Sequence, residues 1–297
     1  MLLYVLGLSY GAVADMMSAW NVQISKTTAY NNVQELGIKS RDIQEIFVKR
    51  SGKRAVIGSD GTYVKVKGEK VGLQIVVDDK NSELLGLEII VSENKEEVLE
   101  IINKISEQVD ADILVSDDLD TYKGVADEIG LEHQTCRNHI KRNVDALAED
   151  MQLQLKKKEI CPPGVDSSPV RLVEDLEGMQ NLIRERPKTA LEQLETLYHR
   201  YKAAPSPKKG QRHTVWYRMR MLITRRWENW PRLVLDQQRG DMDGTNNSSE
   251  RLIGWWIKER YRSMRGYKRI ESIKNVVTLT ARMGVRSGHY DMTELFA

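Results

Sequence analysis

Cysteine is scarce: Cys136 and Cys161 are the two thiols in 297 residues. Two thiols cannot build a disulfide framework, which excludes a small oxidised scaffold and suits a reducing cytoplasm. Long apolar runs are missing too. No stretch reaches the roughly 18 apolar residues of a spanning helix, so no membrane partner is expected. The apolar start, Met1 to Leu8, is interrupted by Ser9 to Asp15 and lacks a preceding basic segment, unlike a secretion signal. Internal repeats and low-complexity tracts are absent. What remains is 40% hydrophobic and 30% charged, the composition of a folded chain of one to three domains.

The net charge of +2 conceals an asymmetry. Residues 200–297 hold 21 Lys and Arg against 9 Asp and Glu, a surplus of 12 positive charges, so the rest of the chain carries −10. A strongly basic third beside an acidic remainder points to a polyanion, most simply DNA, rather than a small-molecule substrate. A solvated basic surface is the plainer alternative.

The first 50 residues read as short helices. A segment around Leu8–Met16 is followed by a turn. Lys26–Leu36 then forms a polar helix with Ser25 as N-cap and Gly37 as its stop. This is a helix-turn-helix pattern in which Lys26, Thr27, Thr28, Tyr30 and Asn31 are placed to reach DNA. An ordinary helical hairpin has the same signature. Residues 41–54 read as a charged connector. The chain opens directly on a helix, which leaves a further DNA-binding module upstream or on another chain as an expectation.

Residues 55–66, 71–77 and 84–91 read as three strands joined by short turns. Residues 95–108 place Val98, Ile101, Ile102 and Ile105 on one helical face. A short apolar strand, Ile113-Leu114-Val115, runs into Ser116-Asp117-Asp118. A helix over 122–129 and a strand over 132–136 follow. This α/β order matches a ribonuclease H-like mixed sheet, in which Asp60 and Asp117 fall on neighbouring strands. Beyond Arg137 the chain reads as helical, with breaks at 161–164 and 203–207, a polar loop over 237–247 and a helical tail from Ser248. The expected organisation is a helix-turn-helix region over 1–50, a first part of the core over 51–150, a helical insertion over 151–240 and a last part over 241–297.

Three carboxylates stand out by context. Asp60 sits inside an apolar strand, where an acid is costly without a partner or a metal. Asp117 ends an apolar strand, and Glu250 opens a helix after a polar loop. Converging carboxylates on a rigid sheet suit Mg2+ or Mn2+. A strand-edge acid, a turn acid and a helix-cap acid are the plainer alternative.

Four motifs occur in order: Asp60-Gly61; Ser116-Asp117; Cys136-Arg137-Asn138-His139 with Arg142-Asn143; and Thr245-Asn246-Asn247-Ser248-Ser249-Glu250, followed by an Arg-rich helix. Together they resemble the Mutator-like DDE transposases and their bacterial and archaeal insertion-sequence relatives, over roughly residues 50–290. The resemblance implies a catalytic and metal-binding triad of Asp60, Asp117 and Glu250, the seat of two Mg2+ or Mn2+ ions. It further implies cleavage at element ends, transfer of the 3′-hydroxyl strand into target DNA, and a homodimer or larger assembly in a nucleoid-associated cytoplasmic location. A nuclease without strand transfer and an inactive DNA-binding derivative are the alternatives. The sequence departs from the family pattern in having Asp118 after Asp117, where Gly is common; Asp118 is the runner-up.

Cys136 and His139 lie one helical turn apart near the site in this reading. His133 and Cys161 do not complete a standard zinc spacing, so a hydrogen-bonded structural pair is expected there. Arg137, Lys141 and Arg142 share a helix. Arg251, Lys258, Arg260, Arg262 and Arg265 follow Glu250, interleaved with Trp255, Trp256 and Tyr261, and are expected at the DNA backbone. A second basic-aromatic stretch contains Trp216, Arg218, Arg220, Arg225, Arg226, Trp227 and Trp230; a helical-bundle core explains it nearly as well.

Overall fold

In the computed structural model, which describes residues 2–50, 52–156, 159–240, 242–263 and 267–283, the chain begins with three helices: α1 (Leu2–Val5), α2 (Tyr10–Ala19) and α3 (Lys26–Arg50). Ser9 caps α2 by accepting from Ala12 N, and Ser25 caps α3 by accepting from Thr28 N. Helix α3 does not stop at Gly37. It runs 25 residues and absorbs most of the segment read as a charged connector.

Three strands follow, β1 (Val56–Val66), β2 (Glu69–Asp78) and β3 (Glu83–Ile90), each antiparallel to the next. Helix α4 (Lys95–Val109), strand β4 (Ile113–Ser116), helix α5 (Asp120–Ile129) and strand β5 (Glu132–Thr135) complete the α/β portion. The sheet is mixed, with strand order β3-β2-β1-β4-β5 and β4 parallel to β1. A parallel neighbour requires a long crossover, and β2, β3 and α4 supply it.

The chain divides into two compact units: 1–133 with 246–297, and 134–245. The second unit is helical: α6 (Arg137–Leu155), α7 (Pro169–Glu185), α8 (Ala190–Tyr201), α9 (Val215–Glu228), α10 (Trp230–Leu233) and α11 (Leu235–Arg239). Its core gathers Ile140 and Met151 of α6 with Leu176 and Met179 of α7, Leu194 of α8 and Trp216 and Ile223 of α9. Trp216 and Trp230 are buried there, while Arg218 pairs with Asp150 and Arg220 donates to Ala204 O, so this basic-aromatic stretch builds the bundle.

The chain returns to the first unit through α12 (Asn247–Leu252), a π-helical stretch Ile253–Glu259, α13 (Arg260–Ser263) and α14 (Glu271–Arg282). Helices thereby cover both faces of the sheet. One layer joins Ile57, Val76, Leu85 and Leu114 to Val98, Ile102, Tyr122 and Val125. The other joins Val64, Leu73, Ile75 and Val77 to Leu252, Trp256, Ile273 and Val276, with Tyr4 and Val33 from the N-terminal helices. Alternate side chains of β1 and β2 enter the two layers, and β2, covered on both faces, is buried without a break from Val71 to Asp78. Gly37 belongs to this packing. A Cβ there would lie 2.5 Å from Asn275 Cβ and 2.8 Å from Asn275 O, so glycine permits α3 and α14 to touch and does not terminate the helix.

Candidate active site

The parallel register pairs Val56 with Ile113, Ile57 with Leu114 and Gly58 with Val115. Partners differ by 57 positions, and so do Asp60 and Asp117, two residues beyond the last pair on each strand. Asp60, midway along β1, therefore lies beside the C-terminal end of β4, where Asp117 begins the turn into α5. Asp60 Oδ1 accepts from Gly61 N at 2.8 Å, and Asp117 Oδ1 accepts from Leu119 N at 3.0 Å, which orients it at the turn into α5.

Glu250 arrives from the opposite direction in sequence. Gly58 shares a face of β1 with Asp60, two residues away. A Cβ on Gly58 would lie 2.7 Å from Ser249 Oγ and 3.2 Å from Asn246 Oδ1, so its absence lets α12 settle against β1. Asn246 Nδ2 donates to Ser59 O at 3.2 Å, and Ser248 Oγ donates to Asp79 O at 2.8 Å. These bonds fix the start of the helix that carries Glu250, which is half-buried.

The electrostatics follow from that crowding. Burial, then the negative charges of Asp117, Glu250 and Glu93, push the Asp60 carboxyl up to about 7, with the Gly61 N–H opposing the shift. Asp60 keeps partial solvent access at the strand surface, but protein surrounds most of the group and its desolvation dominates. Asp118 is otherwise engaged. It is buried and accepts from Lys123 Nζ at 2.9 Å, a lysine also shared with Asp120.

Glu93 was not legible as part of this group. It lies between β3 and α4, and burial first, then Asp117, raise its carboxyl. Its only sequence signal is an acid beside the α4 cap, which ordinarily marks a helix start. Gly58 left a fainter trace, a glycine inside a strand, which signals a close backbone approach.

The remaining expected residues are placed as follows. Lys26 and Thr28 are exposed in the first turn of α3, with Thr28 Oγ1 2.9 Å from Ser25 Oγ. In the second unit, Cys136 is buried just before α6, His139 and Arg137 are half-buried in its first turn, and Lys141 and Arg142 are exposed. Arg251, Lys258 and Arg262 are exposed. Arg260 is a correction: it is 3% exposed, with its guanidinium 4.1 Å from the centre of the Tyr4 ring, so it packs α1 and does not face solvent. Trp256 is likewise core, whereas Trp255 is half-buried beneath Arg251. Arg265 lies outside the described residues.

No helix among the described residues is long and apolar enough to cross a membrane. No curated protein matches the chain. The family match supports an insertion-sequence transposase without reaching the Mutator-like branch: residues 1–263 match the Transposase IS66 family, and the chain, matched over most of its length, belongs to that family.

Proposed function

We propose that this chain is a metal-dependent DNA transposase in which Asp60, Asp117 and Glu250 form the catalytic triad on a ribonuclease H-like sheet. Membership of a transposase family supports DNA as partner and DNA cleavage as activity. The single observation that carries the residue assignment is the β1–β4 register, which sets Asp60 beside Asp117 while Gly58 lets the segment bearing Glu250 settle against β1; the raised Asp60 carboxyl agrees with it.

The donor set fits hard divalent cations. Carboxylate oxygens suit Mg2+ and Mn2+, and Gly58 removes the Cβ that would hold α12 away. When bound, two such ions would make a water or hydroxyl a better nucleophile and stabilise the departing oxygen. Asp60, Asp117 and Glu250 would hold these ions through their carboxylate oxygens. The Gly61 and Leu119 N–H groups keep the two aspartates oriented. In the first step a water oxygen bonds to phosphorus at the element end while the P–O3′ bond breaks, leaving a 3′-hydroxyl. In the second, that 3′ oxygen bonds to a target phosphorus and displaces the target's own 3′ oxygen. Two ends must be joined, which favours a homodimer or larger assembly.

For DNA contact, the reading uses the exposed first turn of α3, through Lys26 and Thr28, and the exposed Arg251, Lys258 and Arg262 beside Glu250. A helix-turn-helix role for α2 and α3 rests on their short connection and this exposed turn. The test is incubation of the full chain with Mn2+ and labelled DNA bearing the flanks of its own gene, beside Asp60→Ala. Joined products lost in the variant support the proposal. Nicks without joining favour a nuclease, and binding without cleavage in either protein favours an inactive DNA-binding derivative.

A further inference from the structure

The proposed triad leaves one neighbouring carboxylate unused. Glu93 is held in place from several directions. Its carbonyl accepts from Thr121 Oγ1 at 3.1 Å, and its Oε1 accepts from the buried Tyr122 hydroxyl at 3.1 Å. Tyr122 is in turn bonded to Gln74, whose Nε2 donates to Ser59 Oγ at 2.8 Å. The loop bearing Glu93 is pinned as well: Val91 N and Ser92 N donate to Glu97 Oε2, and Asn94 caps α4 by accepting from Glu97 N. A side chain so tethered is preorganised.

Its location is specified by Gly61. Residues 60 and 61 point to opposite faces of β1, so Asp60 meets α12 and Gly61 faces the α4–α5 layer. A Cβ on Gly61 would run into the Glu93 carboxylate, so that carboxylate occupies the place a side chain at 61 would take. Glu93 thus approaches Asp60 from the side opposite Glu250, and its charge is felt by both Asp60 and Asp117.

We infer that Glu93 is a fourth carboxylate ligand of the divalent-cation site, reaching Asp60 from the α4–α5 face of the sheet and held there by Tyr122. The inference rests on the metal-site reading above. Glu93 then supplies an oxygen ligand that the three-residue pattern omits, and Tyr122 is its positioning residue. A purely structural Glu93, serving only to accept from Tyr122, would tolerate glutamine, which keeps a carbonyl oxygen for that bond. A metal ligand would not, because the negative charge is lost.

Mn2+ binding to the full chain, counted by the electron paramagnetic resonance of the free ion, tests this without DNA or turnover. The wild type is expected to bind two Mn2+, and Asp60→Asn to lose both. Glu93→Gln is expected to lose one or bind it about 10-fold or more weakly, a scale set by substitutions around metal ligands. Gly61→Ala is a second variant that keeps the carboxylate but displaces it; its backbone is not in the left-handed region, so the strand tolerates alanine, and the same weakening is expected. Circular dichroism verifies that each variant is folded. Two Mn2+ bound with wild-type affinity by both Glu93→Gln and Gly61→Ala would overturn the inference while leaving the triad standing. A wild type that binds no Mn2+, or an Asp60→Asn that binds it normally, would overturn the metal reading and this inference with it.

Discussion

Removing the Asp60 charge should stabilise the metal-free protein at high pH. A carboxyl raised from 3.8 to about 7 on folding holds its proton more tightly in the native state than in the unfolded one. Between about pH 4 and pH 7 the native state binds more protons, so stability falls as pH rises through that window and then levels off. The full shift corresponds to roughly 4 kcal/mol. Partial solvent access at Asp60 reduces this, and about 2–4 kcal/mol is the working range. Asn at position 60 retains an oxygen for the Gly61 N–H and carries no charge. Asp60→Asn should therefore match the wild type near pH 4 and exceed it by that amount at pH 8 in EDTA. Thermal unfolding by circular dichroism at both pH values measures it; at a few degrees per kcal/mol the midpoint rises by roughly 10 °C. A variant no more stable than the wild type at pH 8, or a difference independent of pH, would refute the reasoning.

Added Mg2+ should act in the reverse sense. At about 100 times its dissociation constant it should stabilise the wild type at pH 8 by about 2.7 kcal/mol and leave Asp60→Asn unchanged, as read by the unfolding midpoint. Asp117→Asn should abolish DNA cleavage, whereas Asp118→Asn should retain it and lose about 1–3 kcal/mol of stability by depriving buried Lys123 of a partner; equal loss of cleavage in both would contradict the assignment. Gly37→Ala gains about 1 kcal/mol of helix propensity but forces a Cβ into Asn275 backbone, costing about 1–3 kcal/mol. Urea unfolding should show a net loss or at best no gain, and clear stabilisation would show that the α3–α14 contact is looser than described.

Much of the first unit was legible because its signals are local. Apolar segments over 55–66, 71–77 and 84–91, separated by turn residues, mark three strands, and the Val98–Ile105 stripe marks α4. The near-coincidence of Asp60 and Asp117 followed from reading Ile113–Val115 as a strand, and the parallel register bears out their placement on adjacent strands. Gly37 misled because glycine at a helix end and glycine at a helix crossing look alike in sequence; only the position of Asn275, more than 200 residues away, separates them. Arg260 misled for a related reason. A basic residue among basic residues reads as solvent-facing, and the Tyr4 ring that covers it comes from the other end of the chain. Glu93 carried no periodic signal, since its proximity to Asp60 depends on how β1 and α4 pack.

The central claim is that segments around residues 60, 117 and 250 meet at one divalent-cation site. Fe2+ substituted into the full chain and treated with ascorbate and peroxide cuts polypeptide close to the bound metal, and mapping the cuts by mass spectrometry reads that convergence directly. The account predicts cleavage around Asp60, Asp117 and Glu250, suppressed by excess Mg2+ and absent in Asp60→Asn. Mg2+-suppressible cuts confined to other parts of the chain, or none near these three residues, would contradict it.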